Sequence, residues 1–134
     1  MTAAEYSDEE LRGHLTPEQF RVLRQAGTEV PGSGALLYNE QSGEYRCAVC
    51  HSLLFMSGAK YETHDPGLAG WPSFAEAASN KALKLVPDLA LGVPRTEVRC
   101  AVCGSHLGHL FDDPGSPTGQ HYCINSVALD FKKT

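Results

Sequence analysis

The sequence predicts a mainly β domain of antiparallel strands, entered through two short helices. Three observations carry this. Short apolar or β-branched runs recur at residues 45–47, 53–56, 83–86, 96–100, 107–111, 122–125 and 127–131. Gly, Pro, Asn and Asp separate them, as turns between short strands require. Helical signals stop near residue 27, and no strand–helix alternation follows that would suggest a doubly wound sheet.

The helices come first. Ser7 can cap one, with Glu10 three residues on and Gly13 to stop it. Thr16-Pro17-Glu18-Gln19 is a stronger start, with Thr16 as cap, Pro17 at the first helical position and Gln19 reaching back. Phe20 and Leu23 then share a face, and Gly27 ends the turn. This reads as a helical arm over residues 1–28 packed on a main domain of residues 29–134, in a single-domain protein. Pro31, Gly32, Ser33 and Gly34 mark a loop at the start of that domain.

A chain of 134 residues buries a modest core. Sixteen acidic residues against 11 basic ones give a net charge of −5, which argues against a general nucleic-acid or anionic-membrane binder. No apolar run approaches the ~18 residues of a membrane span. The first ten residues are acidic and lack the apolar core of a signal peptide. The expectation is a cytoplasmic monomer in a reducing compartment, where disulfide scaffolds are rare.

Five cysteines in that setting need a use. Four form two C-x-x-C pairs in a repeated string, Arg46-Cys47-Ala48-Val49-Cys50 and Arg99-Cys100-Ala101-Val102-Cys103. Two such knuckles supply the four tetrahedral ligands of one closed, structural zinc site. The alternatives are haem attachment at Cys47-Ala48-Val49-Cys50-His51, a thioredoxin-like redox pair and plain buried thiols. Haem attachment leaves Cys100 and Cys103 without a role, and a redox pair needs a strand-to-helix context that neither motif shows.

The fifth cysteine lies in Gln120-His121-Tyr122-Cys123-Ile124-Asn125. Strand alternation puts His121, Cys123 and Asn125 on one face. A thiol beside an imidazole can be activated by a lowered pKa. Upstream, His106 and His109 stand three apart and could serve as acid and base near neutral pH. The turn-rich stretch from Asp112 to Gly119 would fold that arm back beside Cys123 as a hairpin. Trp71 follows a loop carrying Pro66, Gly67 and Gly70 and precedes Pro72, which suits the floor of an apolar pocket.

Taken together, Gly70-Trp71-Pro72-Ser73-Phe74, His106-Leu107-Gly108-His109, Phe111-Asp112-Asp113, Tyr122-Cys123-Ile124-Asn125-Ser126 and both cysteine pairs resemble the B-type methionine sulfoxide reductases. The resemblance spans residues 16–131. It implies a compact domain of coiled antiparallel sheets, tent-like, with a structural zinc on Cys47, Cys50, Cys100 and Cys103. It implies reduction of methionine-R-sulfoxide, protein-bound and free, with the Cys123 thiolate as nucleophile and a sulfenic acid left on it. His106 and His109 would handle the proton, Asn125 would orient the site, Asp113 would support it, and Trp71 would hold the substrate methyl group beside Phe111 and His121.

Three departures from the family pattern follow from the same comparison. Ala69 stands where many members carry a resolving cysteine, so an outside thiol such as thioredoxin, or glutathione with glutaredoxin, must reduce the sulfenic acid. His121 stands where arginine is usual. Asp112-Asp113-Pro114-Gly115 reverses the family's Gly-Pro order. Two other classes remain beside the enzyme: a redox-silent zinc module, and a hydrolase with a second metal on the histidines.

Overall fold

Capping chemistry sets the entry. The computed structural model describes residues 7–63, 65, 67–90 and 92–134. Ser7 Oγ accepts the Glu10 N–H at 3.2 Å and opens helix α1, Asp8–Arg12. Thr16 Oγ1 accepts the Gln19 N–H at 3.1 Å, and Gln19 Oε1 accepts the Thr16 N–H at 3.0 Å. This reciprocal pair opens α2, Pro17–Gln25. The left-handed residue that ends α2 is Ala26 (φ 54°), one position before the glycine the sequence suggests. The Gly27 N–H then returns to the Arg21 carbonyl at 3.0 Å. The first six residues of the expected arm, and Pro66, lie outside the described residues.

Eight strands follow: β1 Gly43–Cys47, β2 Leu53–Met56, β3 Ser73–Phe74, β4 Leu83–Asp88, β5 Arg95–Cys100, β6 His106–Asp112, β7 Gln120–Ile124 and β8 Leu129–Lys133. They form two antiparallel sheets, ordered β2-β1-β8 and β3-β7-β6-β5-β4. The mainly β, antiparallel class with short N-terminal helices is therefore the observed one. Two details differ from the sequence reading. β3 is only two residues long, too short for a period-2 signal. The last strand starts at Leu129, because Ser126–Ala128 form a single 3₁₀ turn.

Aromatic rings join the sheets. Tyr45 of β1 and Phe55 of β2 meet Phe74 of β3, and all three are fully buried. Phe55 stacks on Phe74 at 4.3 Å between centroids, and Tyr45 meets Phe74 edge-on at 5.0 Å. Leu23 of α2 enters the same core, so the helical segment packs on the sheets through one apolar face. Among the described residues, no helix is long and apolar enough to cross a membrane.

Candidate active site and metal centre

Each C-x-x-C pair straddles a strand end. Cys47 closes β1 and Cys100 closes β5, while Cys50 and Cys103 lie in the turns that follow. The residue after each pair, His51 (φ 62°) or Gly104 (φ 74°), takes the left-handed conformation that closes the knuckle. The four sulfur atoms lie within 4.8 Å of one another, with Cys47 to Cys103 at 3.6 Å and Cys50 to Cys100 at 3.5 Å. A tetrahedron with metal–sulfur bonds of about 2.3 Å has sulfur edges of about 3.8 Å. Hydroxyls complete the fit: Ser52 Oγ lies 3.2 Å from Cys50 Sγ and 3.4 Å from Cys100 Sγ, and Ser105 Oγ lies 3.2 Å from Cys103 Sγ. This donor set can hold one metal ion. It also anchors α2, because Arg24 Nη1 donates to Ser105 Oγ at 3.2 Å.

Strand register builds the second centre. Val86, Glu97, His109, Cys123 and Ser73 stand directly opposite one another across β4, β5, β6, β7 and β3. Directly paired residues project from the same face. A bulge then repairs a parity problem. Residues three apart on a regular strand face opposite ways. Here Val98 pairs with Gly108 but Arg99 pairs with His106, so Leu107 is the extra residue. His106 therefore joins His109 on the Cys123 face, with ring centroids 5.5 Å apart. Gly108 is obligatory in this arrangement, since a Cβ there would collide with the Cys123 carbonyl oxygen.

Both histidines are held by carboxylates that sequence reasoning missed. His106 Nδ1 lies 2.7 Å from Glu97 Oε2, and His109 Nε2 lies 2.8 Å from Asp88 Oδ2. Arg95 and the Ala90 N–H brace Asp88 in turn, at 3.1 and 3.0 Å. The Ala90 N–H and then His109 hold Asp88 down to about 2. Burial works to raise Glu97, but the bonds from Arg99 and His106 keep it below the ordinary carboxylate range. Burial pushes His106 below its ordinary value against the pull of Glu97. No local pattern could reveal these partners, because Glu97 and Asp88 reach the histidines only through strand pairing.

Cys123 is half-buried at the middle of the row. Its surroundings differ from the activating ones the sequence suggests. Burial, with the carboxylates of Glu29 and Asp65, pushes the thiol up to about 12. His121 is fully buried and gives it no cation: both ring nitrogens lack a hydrogen-bond partner, and burial pulls its pKa down. Asp113 stands 3.7 Å from His121 Nδ1 and accepts the Tyr61 hydroxyl at 2.7 Å on the same oxygen. The His121 ring is packed edge-on against Tyr61 at 5.5 Å and Phe111 at 6.4 Å. The reversed Pro114-Gly115 turn still closes through Asp113, whose Oδ1 accepts the Gly115 N–H at 2.9 Å.

Glu29 is the other residue that sequence reasoning passed over. Its carbonyl accepts Trp71 Nε1 at 3.1 Å, its N–H donates to Asn125 Oδ1 at 2.9 Å, and its Oε1 accepts the Val127 N–H at 3.0 Å. Asn125 Nδ2 also donates to the Leu107 carbonyl at 2.9 Å. Asn125 thus binds the bulge of β6 to the segment that orients Trp71. A cleft of about 550 Å³ is lined by Trp71 together with Ala69, Ser73, Tyr61, Lys60 and Tyr38. Its wall stops at Ser73, the register partner of Cys123.

Known proteins match this chain over most of its length. The SelR domain matches residues 15–133. A protein of Leifsonia xyli subsp. xyli, named peptide methionine sulfoxide reductase MsrB, is 54% identical over 127 residues, covering 94% of this chain and 88% of its own. Namesakes from Methanosarcina barkeri and Escherichia coli are 51% and 44% identical, covering 97% and 93% of this chain and 89% and 88% of theirs. A solved structure titled as the Mis18 'Yippee-like' domain superposes with a TM-score of 0.53 at 14% identity, over 70% of this chain and 98% of its own, which is a likeness of fold alone.

Two outcomes follow from these electrostatics. In the free protein, alkylation of Cys123 should be slow at pH 7 and keep rising with pH toward about 12. Asp65→Asn removes one of the opposing charges and should move that rise to lower pH, which a rate–pH profile would detect. Burial lowers the His121 pKa in the folded state below its ordinary value near 6.5, so the unfolded chain takes up the proton first and folding stability should fall as pH drops below about 6.5. His121→Phe removes one such group and should flatten the Tm profile between pH 7 and 5.

Proposed function

The chain belongs to the SelR family and is a peptide-methionine (R)-S-oxide reductase; on that premise we propose that Cys123 performs the reduction as the one redox-active cysteine. One observation carries this reading. All four other cysteines of the chain gather in the sulfur cluster, and Ala69 stands beside Trp71 in the cleft with no thiol to offer.

In the reaction so proposed, the Cys123 sulfur attacks the sulfoxide sulfur, and as the oxygen passes to Cys123 both the substrate's sulfur–oxygen bond and the transient bond between the two sulfurs break. The oxygen ends on Cys123, so that the thiol and methionine sulfoxide become a sulfenic acid and methionine. The balance needs no external proton, which suits a cysteine that starts as a neutral thiol. His106 and His109 share the face of Cys123 and would carry the thiol proton to the departing oxygen. Trp71 would hold the substrate methyl group, with Phe111 and His121 beside it. Asn125 and Asp113 would keep the surrounding segments in place through the bonds described above. An outside thiol then condenses with the sulfenic acid, releasing water. A second thiol frees Cys123 and leaves as the disulfide. Thioredoxin, or glutathione with glutaredoxin, is the reductant class this requires, as is a reducing compartment such as the cytoplasm. Protein-bound sulfoxide is the main substrate, with the free amino acid also accepted.

We assign the four-cysteine cluster to zinc, held by Cys47, Cys50, Cys100 and Cys103. Four thiolates close its coordination, so its contribution is to fold the two strand ends together.

A single-turnover reaction with pure R and S methionine sulfoxide tests the assignment. One methionine per chain is expected from the R form alone, with a sulfenic acid on Cys123 and no disulfide by mass. Cys123→Ser should yield no methionine while keeping its metal, and retained turnover would remove the assignment. Cys100→Ser should release the metal and lower the Tm steeply, read by metal analysis and calorimetry. An unchanged melting curve would refute a structural metal.

A further inference from the structure

The two histidines are held by opposite ring nitrogens. Glu97 takes Nδ1 of His106, and Asp88 takes Nε2 of His109. Both carboxylates lie below their ordinary values and are ionised at neutral pH, so each can only accept. The held nitrogens therefore carry the hydrogens. His106 Nε2 is buried without any partner, and among the described residues nothing is hydrogen-bonded to His109 Nδ1.

We infer that Glu97 and Asp88 are positioning residues that lock His106 and His109 into opposite tautomers, leaving His106 Nε2 and His109 Nδ1 as the two working nitrogens. This rests on the proton-handling role proposed above. Each working nitrogen of a neutral ring is then a lone pair, an acceptor rather than a donor. It takes the proton of the Cys123 thiol, or of a water held between the rings, and passes it to the sulfoxide oxygen as an imidazolium. A buried nitrogen with no partner is destabilising, and the donor that relieves it at His106 arrives with the reacting groups. The carboxylates also stabilise the imidazolium formed in passing, since each keeps its bond when the ring becomes charged.

The arrangement rests on spacing that only the bulge permits. Glu97 pairs with His109 in register yet bonds His106, because Leu107 bulges out and brings His106 across from Arg99. That frees His109 to turn its Nε2 toward Asp88, which shares the face one strand further on.

Long-range ¹⁵N–¹H correlation on the metal-loaded, ¹⁵N-histidine-labelled protein reads the tautomers directly, without turnover. At pH 7.5, His106 should appear as the Nδ1–H form and His109 as the Nε2–H form. Glu97→Gln and Asp88→Asn keep the shape but add a donor, so each should release its own ring into a tautomer mixture and leave the other unchanged. The single-turnover rate at saturating sulfoxide should then fall by about 100-fold, with the half-saturating concentration unchanged within about twofold. Metal content and Tm verify the fold of each variant, and Glu97→Asp, which restores the charge, should recover part of the rate. The same tautomer on both rings, or tautomers indifferent to the substitutions, would overturn the inference. Opposite tautomers in a protein whose turnover survives loss of both histidines would uphold it while removing their proposed role as proton carriers.

Discussion

Four sulfur atoms tie together two sheets that share no strand. The cluster joins the end of β1 in one sheet to the end of β5 in the other, and the turn that carries Cys103 leads within three residues to His106. The start of β6 is therefore set by the knuckle. The aromatic contact of Tyr45, Phe55 and Phe74 reinforces the same junction from within, but without direction. The sulfur cluster supplies the direction, and the face that carries Cys123 and the two histidines follows from it.

From that fixed point the bulge at Leu107 does what a regular strand cannot. It turns one histidine through the parity of the sheet and leaves Leu107 itself in the core. Asn125 then closes the gap the bulge opens, by donating to the Leu107 carbonyl, and passes the connection on to Glu29 and Trp71. Cys123, the histidine pair and the indole are thus referenced to one backbone irregularity.

The electrostatics around Cys123 run against activation of its thiol. Acidic groups and burial surround it, and burial lowers the pKa of the His121 imidazole, which is packed among rings. A thiol held in its neutral form reacts slowly with adventitious electrophiles. In a sulfoxide reduction that consumes one thiol proton per oxygen transferred, the neutral form also brings the proton with it.

Much of this was legible from the chain because the signals are local. The caps at Ser7 and Thr16 depend on residues three apart, the cysteine pairs advertise their knuckles by spacing, and most strands follow from turn residues at their ends. The hairpin that sets the histidines beside Cys123 follows from the turn-rich stretch between them. The short strand β3, the 3₁₀ turn at Ser126–Ala128 and the shift of parity at Leu107 were not legible, since each is stabilised by a neighbouring segment rather than by its own sequence. The same holds for Glu97, Asp88 and Glu29, whose carboxylates look like ordinary surface acids in the sequence and find their partners only across strands. By itself, the sequence determined which groups the protein has for its chemistry and roughly where the strands that carry them begin and end. Tertiary structure alone decided which nitrogen, carboxylate and carbonyl each group meets, because cross-strand register and burial are properties of the assembled sheets and leave no periodicity in a single chain.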